Sequence, residues 1–168
     1  IAGPRAAPLL LSPEMLVLIT SPNRLTPFHF DAEPNFLVQI VGEKDVWICD
    51  PDDTTIITEE EKERYYAGDR AAASFKPHAP SRAWRFRLKP GDAVHIPTHG
   101  AHWVQNCDNL SVSLSLNFEF PAWMYRDVYR ANHFMRRMGL SPAPAGGGAD
   151  RVKAVTVRSL ASAKAAAR

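Results

Sequence analysis

His29-Phe30-Asp31 sets an imidazole and a carboxylate two residues apart. On a β-strand, residues i and i+2 point to the same face, so the two side chains can converge on one ion. A third donor has to come from a strand distant in sequence but near in space. The best candidate is His102, in the stretch Gly91 to Asn106, where the chain runs up one strand to Pro97, turns through Gly100 and starts down the next. His95 and His99 compete for the role: His95 sits before the proline, and His99 lies in the turn, where it reaches solvent more readily. Two imidazoles and one carboxylate on one side of a metal leave positions open for substrate and oxygen. An HxD pair alone is weak evidence, since a lone histidine is usually structural. The downstream cluster of Gly, Pro, His and Asn gives it weight.

The elements that must position these groups read as short strands. Met15–Thr20 and Phe36–Val41 are apolar runs separated by Pro and Asn clusters, and Val46–Cys49 follows Gly42 as an expected hairpin partner of the strand before it. Ala83–Leu88 alternates as an exposed strand would. Lys89-Pro90-Gly91-Asp92 is a turn into Ala93–Pro97, His102–Asn106 is a further strand, and Leu110–Phe118 alternates Leu with Ser or Asn in period two. Strands at this spacing predict an all-β sandwich or barrel. Thr58 with Glu61 forms a capping box for one short surface helix. Apolar residues at helical spacing from Trp123 to Gly139 (Met124, Val128, Ala131, Met135, Met138) predict one amphipathic helix. The expected organisation is a β core over 1–120, this helix over 121–140, a Pro/Gly-rich linker over 141–150 and a basic segment over 151–168, a surface helix or a tail that orders against a partner.

The composition fits one globular domain: 168 residues, 45% hydrophobic, 10% aromatic. A net charge of +2 gives no reason to expect nucleic acid. The apolar run Pro8 to Thr20, broken by Ser12, Pro13 and Glu14, falls short of the about 20 residues a membrane span takes. No signal peptide is visible. Cys49 and Cys107 lack zinc-like spacing and read as buried thiols of a reducing compartment, so the expected location is cytoplasmic.

The stretch Gly91, Pro97, His102, Asn106 resembles the second cupin motif, with the histidine five residues after the proline and the asparagine four further on. One departure is the glycine normally two residues after the proline, displaced here to Gly100. Thr26-Pro27-Phe28-His29-Phe30-Asp31 through Gly42-Glu43-Lys44 resembles the first half of the JmjC-type 2-oxoglutarate oxygenases, a group that includes the asparaginyl hydroxylase inhibiting hypoxia-inducible factor. The similarity covers roughly residues 20 to 120. It implies a mainly β fold, a double-stranded β-helix of cupin or jelly-roll type with a C-terminal α-helix. It also implies Fe(II) on His29, Asp31 and His102, with 2-oxoglutarate as co-substrate. By the same resemblance Lys44 pairs with the far carboxylate of the co-substrate, Thr26 assists it, and Asn35 and Asn117 lie near it. Lys44 supplies a point charge and Thr26 a charge-assisted hydrogen bond, while the asparagines orient groups without adding charge. Where the family carries a tryptophan-rich segment before the distal histidine, this chain has Thr98-His99-Gly100-Ala101, a smaller set that implies a wider cleft.

The activity so implied is hydroxylation of a protein side chain or a small molecule. A metal-dependent cupin of other chemistry and a non-catalytic cupin-like binding or regulatory module are the alternatives. Related enzymes pair through C-terminal helices, which makes the helix over 121–140 an expected homodimer element. No membrane or nucleic-acid partner is expected, and the sequence does not identify the substrate. Trp47, Trp84 and Trp103 are candidates to line a pocket, and Tyr65, Tyr66 and Arg70 to form a lid.

Overall fold

The computed structural model describes residues 11–119 and 123–166. Its elements are β1 (Leu11–Thr20), β2 (Leu25–His29), β3 (Asn35–Val41), β4 (Lys44–Cys49), α1 (Glu59–Tyr66), α2 (Ala79–Arg82), β5 (Ala83–Leu88), β6 (Ala93–Ile96), β7 (His102–Asn106), β8 (Ser111–Glu119), α3 (Trp123–Arg137) and α4 (Asp150–Ala166). The strands form two antiparallel four-stranded sheets, β1-β8-β3-β6 and β2-β7-β4-β5, so the fold is mainly β with C-terminal helices. Their inner faces meet in one core. Leu18, Leu37, Val94 and Ile96 come from the first sheet, and Val46, Ile48, Leu88 and Val104 from the second. Each such side chain contributes about 1.5–3 kcal/mol on full burial.

β4 is not the hairpin partner of β3: it pairs with β5 and β7 in the other sheet. Gly42 explains the difference. It takes φ 74°, and a Cβ added there would lie 2.2 Å from the Leu110 carbonyl oxygen. Its corner sends the chain across to the second sheet instead of turning it back alongside β3. The Glu43 N–H then donates to Asn109 Oδ1 at 3.0 Å, fixing the corner to the turn before β8.

The alternation in β8 is present, but its faces are the reverse of what polarity suggests. Ser111, Ser113 and Ser115 are buried, and Val112, Leu114 and Leu116 point the other way. Two of the inward serines, Ser111 and Ser113, serve Gln39, which is fully buried. Its Nε2 donates to Ser111 Oγ (3.0 Å) and to the carbonyls of Val41 (2.7 Å) and Gly42 (3.0 Å), and its Oε1 accepts from Ser113 Oγ (2.7 Å). A buried amide costs little once every donor and acceptor is matched.

The chain divides into two compact units, and not in the serial order expected from sequence. Among the described residues, 11–50 with 80–119 form the sandwich, and 51–79 join 123–166 in a helical unit. There α3 packs against both α1 and α4. Thr58 caps α1 through the expected reciprocal box with Glu61. However, α1 is not a surface helix, since Glu61, Lys62, Glu63 and Tyr65 are buried. Glu61 accepts from Lys76 Nζ (2.7 Å), Lys62 donates to Glu59 (3.0 Å), and Glu63 accepts from Arg136 Nε (2.6 Å). Tyr66 stacks on Tyr129 at 5.0 Å and the Arg70 guanidinium lies 4.7 Å above Tyr65, so these three residues belong to the packing of this unit. The basic segment forms α4, and α3 ends in a Gly139 turn at φ 80°. No described helix is long and apolar enough to cross a membrane.

Candidate metal centre

Thr26 and His29 are three residues apart on β2, and regular alternation would send them to opposite faces. The pairing with β7 shows why it does not. Thr26 lies opposite Val104 and His29 opposite His102, so three steps along β2 match two along β7. The extra residue is a bulge at Pro27 and Phe28, a place where the missing proline N–H breaks no ladder bond. Val104 and His102 share the inner face, and Thr26 and His29 therefore share it too. β2 ends at His29, so Asp31 reaches the site from the loop beyond. That loop is pinned by the His99 N–H, which donates to the Asp31 carbonyl at 2.9 Å.

His29, Asp31 and His102 come together with their donor atoms all within 4.8 Å of one another. Asp31 Oδ2 lies 3.9 Å from His29 Nε2 and 3.7 Å from His102 Nε2. Each imidazole is held from behind by a carbonyl two residues before it. His29 Nδ1 is 2.7 Å from the Pro27 oxygen and His102 Nδ1 is 2.9 Å from the Gly100 oxygen. A carbonyl only accepts, so both Nδ1 atoms carry the proton and both Nε2 lone pairs face Asp31. Burial first, then the neighbouring His29, push the His102 pKa down to about 4, which keeps its ring neutral and able to ligate. Two oriented imidazoles and one carboxylate fit a divalent transition metal with open positions.

His95 and His99 do not join the cluster. His95 points outward on β6, its ring 5.0 Å from Phe36. His99 occupies the place two after Pro97 where the motif has glycine. It holds the left-handed φ of 62° and sets its ring edge-on to Phe30 at 5.9 Å.

The three ligands line a cleft of about 690 Å³. Thr26, Asn35, Lys44 and Asn117 line it as well, so it brings together all seven residues singled out from the sequence. Lys44 opens β4, opposite Asn106 on β7, and is almost fully buried. No described residue gives its amine a hydrogen bond or ion pair, and burial lowers its pKa from the ordinary value. Asn35 and Asn117 are register partners on β3 and β8, joined by a hydrogen bond from Asn35 Nδ2 to Asn117 Oδ1; Nδ2 also donates to Ser115 Oγ.

The sequence reading missed Thr20, Glu33 and Asn106 in the lining. Asn106 Nδ2 donates to Thr20 Oγ1 (2.8 Å) and the Ser21 carbonyl (2.7 Å), tying β7 to the end of β1. The signal for Asn106 was present: it sits four residues after His102 on the same strand and so shares its face. Trp47, Trp84 and Trp103 do not line the cleft; Trp47 and Trp103 stack on each other at 5.5 Å.

A profile of the cupin-like domain family matches residues 10–122. No curated protein matches the chain in sequence. Similar solved structures include the DMSP lyase DddQ from Ruegeria pomeroyi DSS-3, 18% identical over 64% of this chain and 39% of that one, with a TM-score of 0.42. The Drosophila melanogaster CENP-C cupin domain is 15% identical over 61% of this chain and 55% of its own, with a TM-score of 0.41. A cupin superfamily protein from Desulfitobacterium hafniense DCB-2 is 10% identical over 70% and 82%, with a TM-score of 0.40. The chain spans less than two thirds of the first two. With the family profile covering most of its length, the chain belongs to the cupin-like domain family.

Proposed function

We propose that the cleft is the active site of an Fe(II)- and 2-oxoglutarate-dependent hydroxylase acting on a protein side chain or a small molecule. The observation that carries this reading is Lys44. Its side chain is almost fully buried with no partner for the amine among the described residues, which is costly, and it shares one cleft with a two-imidazole, one-carboxylate cluster. A ligand bearing a carboxylate at one end and metal-binding oxygens at the other would satisfy both features at once. His29, Asp31 and His102 would hold Fe(II), which supplies the activation of oxygen against the co-substrate when bound. Lys44 and Thr26 would take the far carboxylate as ion pair and hydrogen bond. Asn35 and Asn117 would orient the near end, and Leu37, Ile96 and Val104 exclude water from the cleft walls.

The test is an anaerobic Fe(II) titration with 2-oxoglutarate, watching the weak visible metal-to-ligand charge-transfer band. The band is expected, and His102→Ala and Lys44→Ala should each weaken it. Iron binding without the band would remove the co-substrate and favour a metal-dependent cupin of other chemistry. No iron binding, with all three ligands intact, would favour a non-catalytic binding module.

A further inference from the structure

The turn from Pro97 to Ala101 holds two of the three ligands from behind. The Gly100 carbonyl lies 2.9 Å from His102 Nδ1, and the His99 N–H donates to the Asp31 carbonyl at 2.9 Å. The turn is itself tied down. The Gly100 N–H donates to the Pro97 carbonyl (2.9 Å), and the Cys49 N–H donates to the Ala101 carbonyl (2.8 Å). A Cβ at Gly100 would lie 2.9 Å from Pro97 Cγ, which gives the displaced glycine its reason to stand at 100. The left-handed place at 99, which glycine would hold without strain, is left to a histidine. Such a conformation persists where the surroundings over-determine it. Here the side chain supplies the determinant. The His99 ring stands edge-on to Phe30, at 5.9 Å and 81°, and Phe30 is only 2% exposed. Phe30 lies between His29 and Asp31, and Asp31 stands beyond the end of the β2–β7 ladder.

We propose that His99 is a positioning residue for the carboxylate ligand, and that its ring is needed for this as well as its backbone. The N–H fixes the Asp31 main chain at one point. The ring against Phe30 fixes the same segment at a second point, one residue earlier. Two points set an orientation where one leaves a pivot. Without the ring, the segment keeps its single hydrogen bond and the carboxylate can swing away from the two imidazoles. His99 acts through Asp31 and is not a fourth ligand, since the cluster of donor atoms within 4.8 Å of one another holds His29, Asp31 and His102 without it. The role rests on the reading of these three residues as a metal centre and on nothing about the co-substrate.

The test is a cobalt(II) titration of the whole chain, read in the visible d–d absorption, which reports coordination geometry. His99→Asn removes the ring but keeps a residue that tolerates a left-handed φ, and His99→Phe keeps a ring. His95→Asn, on the outward side of β6, controls for cobalt held by a surface imidazole. Urea unfolding without metal checks that each variant folds. His99→Asn is expected to bind cobalt about three- to tenfold more weakly, with an altered band at saturation. His99→Phe should recover the affinity to within about twofold, and His95→Asn should match the wild type. A His99→Asn protein with unchanged affinity, or one that only loses stability and keeps the wild-type band, would overturn the proposal. So would equal losses in His99→Asn and His99→Phe, which would assign the effect to the imidazole nitrogens. A wild type that binds no cobalt would overturn it together with the metal centre itself.

Discussion

Lys44 has a consequence that needs no substrate. The Lys44 side chain is almost fully buried in the cleft wall, its amine has no hydrogen-bond or ion-pair partner among the described residues, and its pKa lies below the ordinary 10.5 because burial penalises the charged form. In the unfolded chain the amine titrates at its ordinary value. Between the lowered folded value and 10.5, the unfolded chain binds a proton that the folded chain does not. Stability therefore rises with pH through that window, is flat above 10.5, and carries the full penalty below the folded value. Lys44→Met should remove this slope and stabilise the ligand-free protein by about 1–3 kcal/mol at neutral pH, read from urea unfolding. The gap should close or reverse on adding 2-oxoglutarate to the metal-loaded protein. At a hundred times its Kd the wild type gains about 2.7 kcal/mol, and the variant, which binds the co-substrate more weakly, gains less. A Lys44→Met variant that is less stable without ligand would mean that the amine has a structural partner.

At the scale of elements, Gly42 decides which sheet receives Lys44. Gly42→Ala has to hold a left-handed φ and place a Cβ against the Leu110 carbonyl and the Asn109 side chain. The expected cost is at least about 1–3 kcal/mol, with a weakened co-substrate signal because Lys44 is two residues on. Equal stability in a thermal melt would show that the corner can relax. The same corner marks where the sequence stops being readable. Strand positions and the His29–Asp31 pair are local signals of period-two alternation and HxD spacing, while His102 as the third candidate ligand stands out from His95 and His99 only with the resemblance to the second cupin motif. Which sheet a strand joins is not local, and neither is which of its faces turns inward. In β8 the alternation of Leu with Ser is plain, but the serines face in because Gln39, more than 70 residues earlier, needs them. The bulge at Pro27 and Phe28 is likewise set by β7, although a proline inside a strand is a hint of it.

At the scale of the whole molecule, the candidate site and the packed helices fall in different units. Every residue lining the cleft belongs to the sandwich, and the helical unit holds its own buried charges by its own pairs. Sequence hid this division, because α1 reads as a polar surface helix while its buried carboxylates find cations at Lys76 and Arg136. Glu63 is the strictest case. Its side chain is fully buried and Arg136 Nε is 2.6 Å away, while its second oxygen has no donor among the described residues. Removing Arg136 strands a carboxylate in the helix packing, a loss of about 3–5 kcal/mol for a broken buried pair. Arg136→Ala should therefore lower the melting of the helical unit and split a single calorimetric transition into two. Metal affinity, measured by titration below the first transition, should stay within about twofold, because all three candidate ligands lie in the sandwich. A tenfold loss of metal affinity in the folded variant would instead show that the helices hold the cleft in shape. An unchanged melting profile would show that the Glu63 carboxylate finds another partner when Arg136 is gone.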